Sequence, residues 1–181
     1  IAPRPKMQSA LVRSNRAQRL ADYEEALRSW LRRDEPWLKG IVFAENSGSS
    51  LQTLEAIAKT ENPRNLPVEF IPFDFPGPPD GLHYGYSELI LVREAVKISR
   101  LARESTHFIK ATGRYRFPDI AKLVRRLPAH FKTALDCKLA RVLRPDRHYL
   151  THFALAIFER RFFEEFIADL PEKMVPAPPW T

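Results

Sequence analysis

Between residues 109 and 117 the chain reads Ile-Lys-Ala-Thr-Gly-Arg-Tyr-Arg-Phe, which sets three cations, Lys110, Arg114 and Arg116, around a hydroxyl and a glycine. A short apolar strand that runs into such a turn can present positive charge to phosphate oxygens. Thr112 supplies the hydroxyl, Gly113 lets the backbone turn closely around a ligand, and Arg can grip an anion through two parallel hydrogen bonds. The competing reading is a solvated basic strand end, since exposed Lys and Arg are common.

The distribution of charge favours an anionic partner. The 181-residue chain carries a formal +7, yet residues 110–147 hold eleven Lys and Arg against three Asp, so the remainder is close to neutral. A basic half beside a neutral half suits nucleic acid, acidic lipid headgroups or a small molecule bearing a diphosphate. One cysteine, Cys137, excludes an internal disulfide framework and a Cys-rich zinc site, and fits a reducing compartment. With 44% hydrophobic residues the length suits a single domain over 1–181 with a sizeable core. No run approaches the roughly twenty apolar residues of a membrane span, and the start lacks a signal-peptide pattern, so a cytoplasmic location is expected. Ile1-Ala2-Pro3 and the Pro-rich stretch from Val175 to Trp180 read as edges of something longer. A P-loop, a G-x-G-x-x-G fingerprint, a serine nucleophile elbow and H-E-x-x-H are all missing, which removes several enzyme classes. A methyltransferase could use Glu45 after its strand, but no glycine-rich turn follows the first strand.

The elements that must position the basic turn follow from hydrophobic spacing. Leu20, Tyr23, Leu27, Trp30 and Leu31 predict a helix over 15–33, capped by Ser14 or Asn15. Ile41 to Ala44 predicts a strand, Glu45-Asn46-Ser47-Gly48 a polar turn, and 51–59 a helix. A strand is expected over 68–73, then a Pro- and Gly-rich loop. Val92, Ala95, Val96, Ser99 and Ala102 predict a helix over 87–103 with Ser87 as N-cap. Further expectations are a strand at 107–111, a helix at 118–126 and a strand at 131–135. Leu155, Phe158, Phe162 and Phe166 predict a helix over 151–170. Alternating units of this length imply an α/β fold with a mainly parallel sheet, whose ligands bind beyond the carboxyl ends of the strands.

Ile1-Ala2-Pro3, the helix with Arg16, Arg19 and Tyr23, Glu45-Asn46-Ser47-Gly48 after a strand, the Gly85-Tyr-Ser87-Glu88 turn opening a helix, and Lys110-Ala-Thr-Gly-Arg-Tyr115 occur in a telling order. In that order the chain resembles the GT-A-like nucleotide-sugar glycosyltransferases that build bacterial surface polysaccharide. The resemblance implies a three-layer sandwich with a Rossmann-like nucleotide-binding sheet. It implies a nucleotide-sugar donor, with UDP favoured, and a glycan or lipid-linked acceptor, with peripheral contact at the inner membrane and no nucleic acid. Carried over residue by residue, it implies nucleoside contacts at Ala2, Pro3, Arg16, Glu45 and Asn46. Gly85, Ser87 and Glu88 would meet the donor, Glu88 either binding sugar hydroxyls or capping its helix. Glu45-Asn46 could equally be a solvated turn.

The chain departs from the family where a D-x-D motif is usual. It has Lys110-Ala-Thr112-Gly-Arg114-Tyr115 there, so the resemblance implies that cations replace the divalent metal at the diphosphate and that no metal is required. A manganese or magnesium site built on Asp119 or Asp136 is the alternative. An inverting reaction needs a base for the acceptor hydroxyl, for which Asp136 is the first candidate, followed by Glu159 and His152. Ion pairs with neighbouring Lys and Arg, or a helix-start position for His152, are their ordinary alternatives. A rival reading makes the basic half a nucleic-acid-binding surface, with Tyr115, Phe117 and Phe131 as stacking platforms.

Overall fold

Asn15 opens the first helix by turning its side chain back on the chain: Oδ1 accepts from Ala17 N at 2.9 Å and Gln18 N at 3.3 Å. In the computed structural model, which describes residues 15–75, 77–82, 85–137 and 151–175, that helix is α1, Arg16–Leu31. The order continues with β1 (Ile41–Glu45), α2 (Gln52–Thr60), β2 (Val68–Pro72), α3 (Gly85–Ile98), α4 (Arg100–Glu104), β3 (His107–Ala111) and α5 (Ile120–Arg126). It ends with β4 (Thr133–Cys137), β5 (Thr151–Glu159), a short helix α6 (Arg160–Phe162) that widens into a π turn at Phe163–Ile167, and a 3-10 turn at Leu170–Lys173.

The strands form a mixed arrangement. β1 and β2 pair in parallel with α2 as their crossover, from Ile41 opposite Val68 to Glu45 opposite Pro72. A separate sheet of order β3-β5-β4 is antiparallel throughout. The fold is therefore α/β, but the mainly parallel sheet expected from the alternation is not what the described residues form.

The reason lies in residues 151–170, where the predicted helix is corrected to a nine-residue strand followed by a turn of helix. Strand β5 is covered on both faces, since the consecutive residues Ala156, Ile157 and Phe158 are all buried, and a continuous apolar run has no period that separates strand from helix. Phe153, Ala154, Leu155, Ala156, Ile157 and Phe158 form that run. The supposed stripe is split: Phe158 is 1% exposed and Phe166 56%. A second correction concerns the helix over 87–103. It starts at Gly85, so Ser87 lies within the first turn and is not its cap. It breaks at Ser99, whose extended backbone caps α4: Oγ accepts from Ala102 N at 2.9 Å and donates to Glu69 Oε2 at 2.5 Å. Glu69 also accepts from Leu101 N at 3.1 Å, so a β2 carboxylate fixes the break.

Two apolar clusters hold these parts. Leu27 and Leu31 of α1 meet Leu51, Leu54 and Ile57 around α2 over Phe43 of β1. Leu89 and Val96 of α3 meet Ala156 and Phe158 of β5 with Phe163 and Ala168. Polar groups bind the carboxyl-terminal turns onto the same helix. Arg93 pairs with Glu172 and Glu94, and it reaches the Ala168 carbonyl at 3.4 Å. The Arg93 hydrogen bond holds the Glu172 carboxyl below its usual range, and Glu94, although burial pushes it up, is brought down by Arg93 and Lys97. A carboxyl depressed in the folded state stabilises above its unfolded pKa, and that contribution fades as pH falls through the folded value. Stability to urea should fall below about pH 4.3, and less steeply in Glu172→Gln; parallel curves for both proteins from pH 6 to 3 would refute the assignment.

Candidate functional site

Strand β3 delivers the basic turn to the edge of the antiparallel sheet where β3 ends and β5 begins. Thr112 N donates to Ala154 O at 2.8 Å, continuing the pairing with β5, and Tyr115 N closes the turn on Thr112 O at 2.9 Å. Gly113 is required by packing here: a β-carbon on it would stand 2.9 Å from Cε1 of Tyr23 on α1. The Tyr23 ring in turn meets Phe43 edge-on at 5.9 Å, so the turn rests on the first apolar cluster beside β1. Arg33 holds the far side, donating to Phe117 O at 2.5 Å.

Lys110 is 7% exposed. Its ammonium donates to Glu88 Oε1, to Phe153 O and, at 3.3 Å, to Thr112 Oγ1, and it lies 4.3 Å from the centre of the Phe153 ring. Three hydrogens meet three acceptors, so none is left for a phosphate. Burial pushes the Lys110 ammonium below the usual lysine range, an effect only partly offset by the charge and hydrogen bond of Glu88. The cation expected to face a ligand is thus committed inside the protein. Thr112 Oγ1 donates to the same Glu88 oxygen at 3.3 Å, so Glu88, Lys110 and Thr112 form one cluster between α3 and β3.

The pairing of the remaining cations is uneven. Arg116 binds Glu25 at 3.2 Å, Lys122 binds Asp119 at 2.7 Å, Lys132 binds Glu159 at 2.6 Å, and Arg125 stands 3.9 Å from Glu35. Arg114 and Arg126 make no ion pair among the described residues. Arg114 lies against the exposed Tyr115 ring, 5.3 Å from its centre. Lys138, Arg141, Arg144 and Arg147 lie outside the described residues.

The other expected residues are distributed as follows. Ala2 and Pro3 lie outside the described residues. Arg16 is exposed at the start of α1, about 10 Å along the helix from Tyr23. Glu45 is 7% exposed and its Oε2 accepts from Ser47 N at 2.8 Å, so this carboxylate closes its own turn. Asn46 is half-buried in that turn, and Gly85 and Ser87 lie in the first turn of α3 beside Glu88. Register places the backbone of Asp136 opposite His152, at the end of the sheet where Thr112 meets Ala154; their side chains lie outside the described residues. Glu159 pairs with His107 at the other end of β3, about 17 Å from Thr112 along the strand. Asp119 is exposed, and the Lys122 hydrogen bond holds its carboxyl below the usual range. Among the described residues, three or more His, Cys, Asp or Glu do not gather as a metal would require. A shallow groove lined by Glu55, Lys59, Asn62 and Phe70 lies elsewhere, between α2 and β2.

Local reading missed Phe153 and Arg33, and named Tyr23 without its contact to Gly113; the three shape the turn through a carbonyl, a guanidinium and a ring from distant elements. Nothing near them in sequence marks that role. No family model matches the chain, and no curated protein or solved structure matches it significantly.

Proposed function

We propose that this chain is a glycosyltransferase that moves a sugar from a nucleotide-sugar donor to a glycan or lipid-linked acceptor. The observation that carries the reading is the guanidinium of Arg114 on the glycine turn, without an ion pair among the described residues, at the sheet end shared by the backbones of Asp136 and His152. A diphosphate leaving group needs positive charge as the glycosidic bond to the nucleotide breaks, and Arg114 can supply it through paired hydrogen bonds without a metal. Tyr115 beside it offers a hydroxyl or a stacking face. Lys110 acts at one remove, through its field and by fixing Thr112. Asp136 or His152 would take the acceptor proton; Glu159 is at the wrong end of the strand. Among the described residues no helix is long and apolar enough to cross a membrane, so contact with a lipid-linked acceptor would be peripheral.

The nucleic-acid alternative uses the same basic half, but four exposed cations there already face carboxylates within the protein. A polyanion would have to displace those partners, whereas a single diphosphate needs only Arg114. Calorimetric titration with UDP, GDP and CMP, each in EDTA and in manganese, tests the reading. One nucleotide should bind saturably in EDTA, and Arg114→Ala should weaken it about ten- to a hundredfold, the value of a charged hydrogen bond. Binding only with manganese would overturn metal independence and direct attention to Asp119 and Asp136. Folded protein that binds no nucleotide, but does bind single-stranded nucleic acid, would overturn the transferase reading.

A further inference from the structure

We propose that Glu88 reads hydroxyl groups of the donor's sugar through the carboxylate oxygen that no described residue hydrogen-bonds. The inference rests on the transferase reading and concerns the same site. Oε1 of Glu88 accepts from both Lys110 Nζ and Thr112 Oγ1, whereas Oε2 makes no hydrogen bond with any described residue. The Glu88 side chain is 26% exposed and that of Lys110 6%, so the carboxylate has one oxygen turned into the protein and retains a face toward solvent.

The arrangement suits a neutral polyol better than an anion. A carboxylate offers about four acceptor positions, and the cluster fills two of them. Oε1 of Glu88 is the charged partner of the buried Lys110 ammonium. An ionised carboxylate repels a phosphate but takes strong hydrogen bonds from hydroxyl groups. With Oε1 already engaged by Lys110 and Thr112, Glu88 is a specificity-determining residue and not the group that deprotonates the acceptor. Thr112 links this carboxylate to the turn that carries Arg114, only two residues on. Arg114 takes the diphosphate, and Glu88 takes the hydroxyl groups of the sugar attached to it.

The test compares free UDP, GDP and CMP with their sugar conjugates on the wild type, Glu88→Gln and Arg114→Ala, with melting temperature as a folding control. The wild type should bind one conjugate about tenfold tighter than its nucleotide. Glu88→Gln should keep the nucleotide affinity and lose that increment, whereas Arg114→Ala should lose nucleotide and conjugate alike. If Glu88→Gln does not fold, Glu88→Asp, which keeps the charge beside Lys110 and withdraws the carboxylate by one methylene, carries the same comparison. An increment that survives the change at Glu88, or a wild type that binds nucleotide with no gain from any sugar, overturns the role of Glu88 and leaves the nucleotide site standing. No nucleotide binding by folded wild type overturns the transferase reading, and this inference with it.

Discussion

Phe158→Ala should lower the free energy of unfolding by about 3–5 kcal/mol, while Phe166→Ala, eight residues on, should change it by less than about 0.5 kcal/mol. A single amphipathic helix would bury both residues on one face and make both changes costly. In the strand and turn observed, Phe158 is 1% exposed and meets Phe108, Phe153 and Phe163 at ring-centre separations of 5.6, 6.3 and 5.3 Å. Removing its ring deletes three aromatic contacts and opens a cavity beneath α3. Phe166 is exposed on the π turn and, among the described aromatic rings, meets only Phe162, at 5.1 Å. Urea unfolding of both variants measures the difference directly. Equal losses would mean that residues 151–170 form the helix after all, and the β3-β5-β4 sheet would fall with them.

Breaking the pair of Glu88 and Lys110 should be costly in one direction only. Glu88→Ala leaves a buried ammonium facing a carbonyl, a hydroxyl and an aromatic ring, and should cost about 3 kcal/mol at pH 7. Lys110→Met keeps the shape of the chain and puts a sulfur on the Phe153 ring, and leaves Glu88 partly hydrated, so its cost should be about 1–2 kcal/mol. The pH dependence has a definite sign. Lys110 has a folded pKa below its unfolded value, so the unfolded chain binds more protons between the two, and stability from this group rises as pH climbs through that interval toward about 10.4. Without Glu88 the folded value falls further and the interval widens. The deficit of Glu88→Ala should therefore shrink between pH 7 and pH 10, and denaturation curves at those pH values measure it. A deficit independent of pH would mean that Lys110 is not held charged in the folded protein.

Both predictions turn on contacts that are distant in sequence. The pairing of α1, β1, α2, β2 and β3 with hydrophobic spacing was legible because each is amphipathic or bounded by Gly, Pro and polar turns, and Asn15 fulfils its capping role. Residues 151–170 were not, because burial of β5 on both faces erases the alternation that distinguishes a strand. The break at Ser99 was equally hidden, since the carboxylate that stabilises it comes from Glu69, thirty residues earlier.

Local sequence determined that a basic turn with a hydroxyl and a glycine ends β3, that the chain has an α/β character, and that one half of it is cationic. These follow from residue type and short-range periodicity, which act within a few residues. Tertiary structure alone decided which cations remain available. Lys110, Arg114 and Arg116 look alike in the sequence, yet Lys110 is sealed against Glu88 and Phe153, Arg116 faces Glu25, and the half-buried Arg114 lies on the Tyr115 ring without an ion pair among the described residues. Charge pairing depends on distance across the fold, and burial alone can turn one of three similar cations from a ligand-facing group into a structural one.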